Sequence, residues 1–160
     1  MKQNLLFPEM HVAPSIHIKP KRDDVHKGST AETIAMLKLE LADIHCLPSA
    51  QGRKYDFVAE LNDGEVFRVQ VKGTSQTKER YNFNFRRGFH GSKDGMFDYS
   101  PTDFDISCCV SLTDEAALFS AGVERSISWT RAQFNQPRAA ILSFEESIDA
   151  VRRKRREAEI

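Results

Sequence analysis

Residues 55–73, YDFVAELNDGEVFRVQVKG, decide how this chain folds. Two runs rich in β-branched and aromatic residues flank Asn62, Asp63 and Gly64. A three-residue loop of that kind suits a type I turn followed by a left-handed glycine. It predicts strands at about 54–61 and 65–72, with residue 61 opposite 65 and therefore 56 opposite 70. Opposed residues share a face, and alternate residues stay on it. Phe57, Ala59, Leu61, Phe67, Val69 and Val71 then fall on one face, which is uniformly apolar and must meet the core. Asp56, Val58, Glu60, Val66, Arg68, Gln70 and Lys72 fall on the other. Its far end gathers a carboxylate, an amide oxygen and an ammonium. By periodicity alone this is either a solvated polar face or a site for a divalent metal. Asp56 and the Gln70 oxygen are hard ligands suited to Mg2+, which keeps waters and takes few protein oxygens. Lys72 is suited to polarise an attacking water or to steady developing phosphate charge.

The chain has 160 residues, enough for one domain with a real core. Basic and acidic side chains balance at 23 each, which argues against a wholly basic polyanion binder. Their distribution is uneven, however. Arg68, Lys72, Lys78, Arg80, Arg86, Arg87 and Lys93 cluster in one stretch, and a second run, RRKRR, lies at 152–156. A polyanion partner needs only a local basic face. No apolar run approaches a membrane span, and the N-terminus lacks a signal-peptide pattern. Cys46, Cys108 and Cys109 do not form a disulfide framework, and no Cys/His spacing suggests zinc. The expectation is a soluble protein in a reducing, cytoplasmic setting.

Residues 1–25, with three prolines, His11 and His17, read as an irregular arm with a short strand at SIHIK. Residues 26–160 read as a single domain. Helical spacing of Ala31, Ile34, Ala35, Leu37, Leu41 and Ile44 predicts a helix over 29–44. Ser29 and Glu32 have the form of a capping box at its start. HCLPSAQGR reads as a loop, YNFNFR as a strand at 81–86, and GFHGSKDGMFDYSPTD as a glycine-rich loop. FDISCCVSL reads as a buried strand, AALFS and RSISW as short strands, and SFEESIDAVRRKRREAEI as a terminal basic helix. The order predicts an α/β fold with a mixed sheet flanked by helices.

Glu32 on a helix, Asp56 opening a strand, and Gln70-Val71-Lys72 on the next resemble the PD-(D/E)XK nuclease superfamily. The nearer resemblance is to the branch with glutamine in place of the last acidic residue. That branch includes the group I intron homing endonucleases of cyanobacteria and relatives of Holliday-junction resolvases. HKGSTAET, YDFVAELNDGEVFRVQVKG, YNFNFR and DFDISCCVSL follow in the order of those proteins, over about residues 26–120. Tyr55 stands where the nominal proline would be. The resemblance implies a restriction-endonuclease-like core and Mg2+-dependent hydrolysis of phosphodiester bonds in double-stranded DNA. It implies a site of Glu32, Asp56, Gln70 and Lys72, with the Val71 carbonyl as a further metal ligand. It also implies a homodimer or homotetramer, since one site serves one strand. Without the resemblance, Glu32 reads as a capping residue of its own helix.

Thr74, Ser75, Gln76, Lys78 and Arg80 follow the site, and Asn82 and Asn84 share a strand face. Hydroxyls, amides and cations so mixed suit phosphate and base-edge contacts. Lys27, Arg68, Arg86 and Arg87 join them as DNA-contact candidates, and His26 precedes the first helix near Lys27. Tyr81, Phe83 and Phe85 read as core. The RRKRR run reads as a phosphate clamp ahead of a solvated helix face or an oligomer seam. The readings that remain are a homing-type endonuclease, a junction-resolving, restriction or repair nuclease, and a catalytically silent DNA-binding protein on the same core.

Overall fold

The computed structural model describes residues 24–88 and 95–160. The expected arm lies outside the described residues apart from Asp24 and Val25, and so do His90 and Lys93.

The NDG turn sets the register. Glu65 accepts at its carbonyl from the Leu61 N–H, Gly64 N–H reaches back to the Leu61 carbonyl, and Gly64 has φ +85°. That conformation is open to glycine at no steric cost. β2 (Phe57–Glu60) and β3 (Val66–Thr74) pair antiparallel with Phe57 opposite Val69 and Glu60 opposite Val66. This is the register expected from a three-residue loop. β1 (His45–Pro48) adds to the outer side of β2. β3 pairs parallel with β7 (Ile106–Ser111), and β7 antiparallel with β8 (Ala116–Ala121). The main sheet is therefore mixed, in the order β1-β2-β3-β7-β8.

One face of that sheet meets two helices. Ala31, Ala35 and Leu39 of α1 (Asp24–Glu40) and Phe144, Ile148 and Val151 of α3 (Ala139–Ala158) pack on Phe57, Ala59, Phe67, Val69, Val71, Ile106, Cys108 and Phe119. The opposite face carries a second core. There Cys109 and Leu118 meet Tyr81, Phe83, Phe85, Phe104, Ile127 and Phe134. These come largely from a small sheet of β4 (Arg80–Asn84) and β9 (Ser126–Thr130), and from α2 (Arg131–Phe134). Tyr81, Phe83 and Phe85 are thus core, as expected, while Asn82 and Asn84 are exposed. A last pair, β5 (Arg86–Gly88) with β6 (Met96–Asp98), extends from β4.

Several expectations are corrected. α1 starts five residues earlier than predicted, so Ser29 is interior. The Thr33 hydroxyl donates to the Ser29 carbonyl, and the Thr30 hydroxyl to that of His26. These are back-bonds inside a helix, and no capping box forms at Ser29 and Glu32. α1 also ends sooner. Asp43 takes φ +59°, its N–H meets the Glu40 carbonyl, and the Ile44 N–H meets that of Leu39. This is a Schellman stop, with Leu39 and Ile44 joining one core. Ile44 therefore kept the apparent helical period while standing outside the helix. HCLP is an edge strand, tolerated with Pro48 because its last residue closes the ladder. YNFNFR divides at Phe85 between two sheets, because the Phe85 N–H turns to the Arg125 carbonyl. The glycine-rich loop contains β6, and the short α2 was not foreseen.

The polar face of the hairpin is not uniformly solvated. Arg68 donates from Nε and Nη2 to the two Asp105 carboxylate oxygens at 3.0 and 3.1 Å, and from Nη1 to the Thr102 carbonyl at 2.8 Å. The Arg68 N–H also reaches Asp105 at 2.8 Å. Burial pushes the Asp105 carboxyl up, but these bonds outweigh it and hold the group below the usual range. Asp105→Asn is expected to cost about 2 kcal/mol at neutral pH, less than a fully buried pair because Arg68 keeps 38 % of its side chain exposed. A carboxyl depressed in the fold stabilises above its unfolded pKa and ceases to do so as pH falls through its folded pKa. The gap between wild type and variant in urea denaturation should accordingly be constant down to about pH 4 and shrink below it. A gap that widens in acid would contradict the assignment.

Candidate active site

β3 runs on past the start of β2, so Gln70, Val71 and Lys72 stand at an opening on that side of the strand. Asp56, just before β2, faces them. Its Oδ2 accepts the Val71 N–H at 2.7 Å and the Gln70 Nε2 at 2.6 Å. Gln70 Nε2 also lies 3.3 Å from the Val71 carbonyl oxygen. Gln70 is 6 % exposed, which is unusual for an amide on a nominally polar face. A buried amide must satisfy its polar atoms, and here it does so against Asp56. Rotation about its last bond exchanges Nε2 and Oε1, so the same position offers a donor or an acceptor.

α1 crosses β3 closely enough to bring Glu32 in. The crossing is at Gly73, where a Cβ would lie 2.6 Å from the Ala31 Cβ. Any larger residue there would push the helix off the strand. Glu32 follows Ala31 and shares one cleft with Lys27, Gly28, Asp56, Gln70, Val71, Lys72, Thr74, Ser75 and Gln76. That cleft encloses about 480 Å³. Freed from any capping role, Glu32 is turned to it.

The electrostatics are those of charges held partly out of water. Burial pushes the Glu32 carboxyl up, and the nearby Asp56 charge adds to the rise. Burial also raises Asp56, opposed by the Val71 N–H and the Lys72 charge. Burial lowers Lys72, opposed by Asp56. In all three, burial disfavours the charged form, and a cation held between Glu32 and Asp56 would offset that cost for the two carboxylates. The donor set is two carboxylates, an amide and a backbone carbonyl. Among the described residues no three His, Cys, Asp or Glu side chains group as a metal cluster. A hard cation that retains most of its waters fits such a set, and a fully protein-ligated transition metal does not.

The other candidates divide. Ser75, Gln76, Lys78, Arg80, Asn82, Asn84 and Arg87 are exposed, and Thr74 is partly so. Arg68 is engaged with Asp105, as above. Arg86 is engaged by Asp98 at 2.8 Å. Of the RRKRR run, Arg152 pairs with Glu65 at 2.6 Å. Arg155 pairs with Glu65 at 3.1 Å and lies over the Phe67 ring. Those two residues latch α3 to the turn end of the hairpin, away from Gln70 and Lys72. Sequence reasoning passed over Tyr99, Phe97 and Asp98. The Tyr99 phenol is pushed to about 12 by burial and the Asp56 charge, and Arg87 lies 5.9 Å from its ring centre. The aromatic spacing in MFDY was their one signal.

A family model described as PD-(D/E)XK endonuclease matches residues 23–139. The chain belongs to that family. The match takes in α1, the hairpin, β7 and the second sheet, and so all four residues of the cleft constellation. Among solved structures, one described as a bacterial homing endonuclease, I-Ssp6803I, superimposes with a TM-score of 0.57 at 20 % identity. The superposition covers 73 % of this chain and 86 % of that one, and at such identity it speaks for the fold. Comparison with curated proteins found no match. The mixed sheet flanked by helices is thus the restriction-endonuclease-like architecture expected, and this PD-(D/E)XK member is a nuclease. No described helix is long and apolar enough to cross a membrane, and all three cysteines are free and buried.

Proposed function

We propose that this protein is a Mg2+-dependent DNA endonuclease of homing type, acting on double-stranded DNA as a homodimer or homotetramer. The observation that carries the proposal is the convergence of Asp56, Gln70, the Val71 carbonyl, Glu32 and Lys72 on one polar cleft. Asp56, Glu32, the Val71 carbonyl and the turned Gln70 amide would hold the cation. When bound, Mg2+ would supply charge against the phosphate and acidify a water. Asp56 keeps β3 in place through the Val71 N–H, so the ligands are fixed before DNA arrives. Lys72 lines the same cleft and would stabilise charge that grows only in the transition state. Lys27, Thr74, Ser75, Gln76, Lys78, Arg80, Asn82, Asn84 and Arg87 serve as the DNA-contact surface, with Lys27, Thr74, Ser75 and Gln76 lining the cleft itself.

The second reading is a catalytically silent DNA-binding protein on the same core. Its support is that, among the described residues, only two carboxylates meet in the cleft. Substitution of Gln70 separates the two. Gln70→Glu adds a charge beside the cation and should cleave at equal or lower Mg2+ concentration. Gln70→Leu keeps the bulk and removes the oxygen, and should lose about a hundredfold in rate. Metal titrations of cleavage for the three proteins are the measurement. A leucine variant that cleaves as wild type at every Mg2+ concentration would reduce Gln70 to a packed strand residue.

A further inference from the structure

Lys72 is anchored by something outside the hairpin. Its Nζ donates to the Arg86 carbonyl oxygen at 3.1 Å. A lysine is a point charge on a flexible stem, so its placement depends on such a partner. Arg86 sits where the chain leaves the β4–β9 sheet for the β5–β6 pair. On one side, buried Phe85 fixes the backbone through its N–H to the Arg125 carbonyl at 2.9 Å. On the other, Arg86 pairs with Asp98 across the β5–β6 ladder. Its guanidinium donates from Nε to Asp98 Oδ1 at 2.8 Å and from Nη2 to the Met96 carbonyl at 3.3 Å. Asp98 Oδ1 also lies 3.8 Å from Arg125 Nε. One carboxylate thus gathers the two arginines that flank the junction.

An ion pair whose acid is 56 % exposed contributes little stability. Its effect is on geometry. We propose that Asp98 is a positioning residue: by holding Arg86 at the junction it fixes the Arg86 carbonyl, and through that carbonyl the Lys72 ammonium. The proposal rests on the endonuclease reading for its consequence and on these contacts for its substance. It assigns the Arg86 side chain to the protein rather than to a phosphate.

The test uses Asp98→Ala and Asp98→Asn, with Asp98→Glu as the conservative variant. Single-turnover cleavage under saturating protein should fall about 10- to 100-fold in the first two, as for a misplaced catalytic group. DNA affinity and its salt slope should not change, and Asp98→Glu should recover most of the rate. Independently, in the protein without DNA, the Lys72 Nζ–H3 signal should show scalar coupling to the Arg86 carbonyl carbon. That coupling should vanish in Asp98→Ala. A coupling lost with the variant in a wild type that does not cleave would uphold the positioning and remove the endonuclease reading. Coupling retained in Asp98→Ala, or a loss seen wholly as weaker DNA binding with a shallower salt slope, would overturn the proposal.

Discussion

Asp56→Asn is expected to lose cleavage by about a thousandfold or more while the protein stays folded and binds DNA. The carboxylate is the residue around which the others are arranged. It faces the cleft, and its charge is what a cation would bind first. Removing that charge takes away both a ligand and the reason for cation binding. Asparagine is a better probe than alanine because Asp56 has a second duty. Its Oδ2 accepts the Val71 N–H and the Gln70 amide, and Gln70 is 6 % exposed. Alanine would leave the Val71 N–H without its acceptor and the buried Gln70 amide with only the Val71 carbonyl, at about 1–3 kcal/mol. Asparagine with its oxygen in the place of Oδ2 keeps the acceptor for both the Val71 N–H and the Gln70 amide. Asp56→Ala should therefore be inactive and less stable, and Asp56→Asn inactive at near wild-type stability. Thermal denaturation beside single-turnover cleavage separates the two effects. Asp56→Asn cleaving at the wild-type rate would remove Asp56 from the chemistry.

Lys72→Met should lower the rate about 100- to 1,000-fold with little change in stability or DNA affinity. The argument is one of differential stabilisation. A cation already desolvated, as its lowered pKa records, stabilises transition-state charge more strongly than one in water. Methionine keeps a half-buried stem of similar length and removes the charge. Lys72→Arg should not restore activity, because a planar guanidinium cannot occupy the ammonium's place against the Arg86 carbonyl. The measurement is single-turnover rate and Kd on the same DNA. If the whole loss appears in Kd, Lys72 is a phosphate anchor.

The hairpin was legible because its turn permits one register, and that register sorts six apolar residues to one side. Asp56, Gln70 and Lys72 came with it. What periodicity hides is which polar residues are buried. Gln70 looks like a solvated strand residue, yet it is buried and bonded to Asp56. Glu32 was legible only through resemblance, since Ser29 three residues earlier imitates a cap. The same pattern, Thr130 with Gln133, is a true capping box opening α2, with the Gln133 side chain reaching the Thr130 N–H at 2.8 Å. Local sequence does not distinguish the two. What separates them is whether the preceding residues continue the helix, and at Ser29 they do. The basic runs also hide their internal partners. Arg68, Arg86, Arg152 and Arg155 look available for phosphate in a count of charges, yet each meets a carboxylate from a distant part of the chain.

The central claim is that this cleft hydrolyses DNA with a divalent cation. Incubating the wild-type protein and Asp56→Asn with a pool of randomised duplex DNA, in Mg2+ and in EDTA, and sequencing the new ends tests it most directly. The account predicts ends bearing a shared sequence from the wild type in Mg2+, and none from EDTA or from Asp56→Asn. Absence of new ends in Mg2+ at any protein concentration, or ends that Asp56→Asn produces equally well, would contradict it.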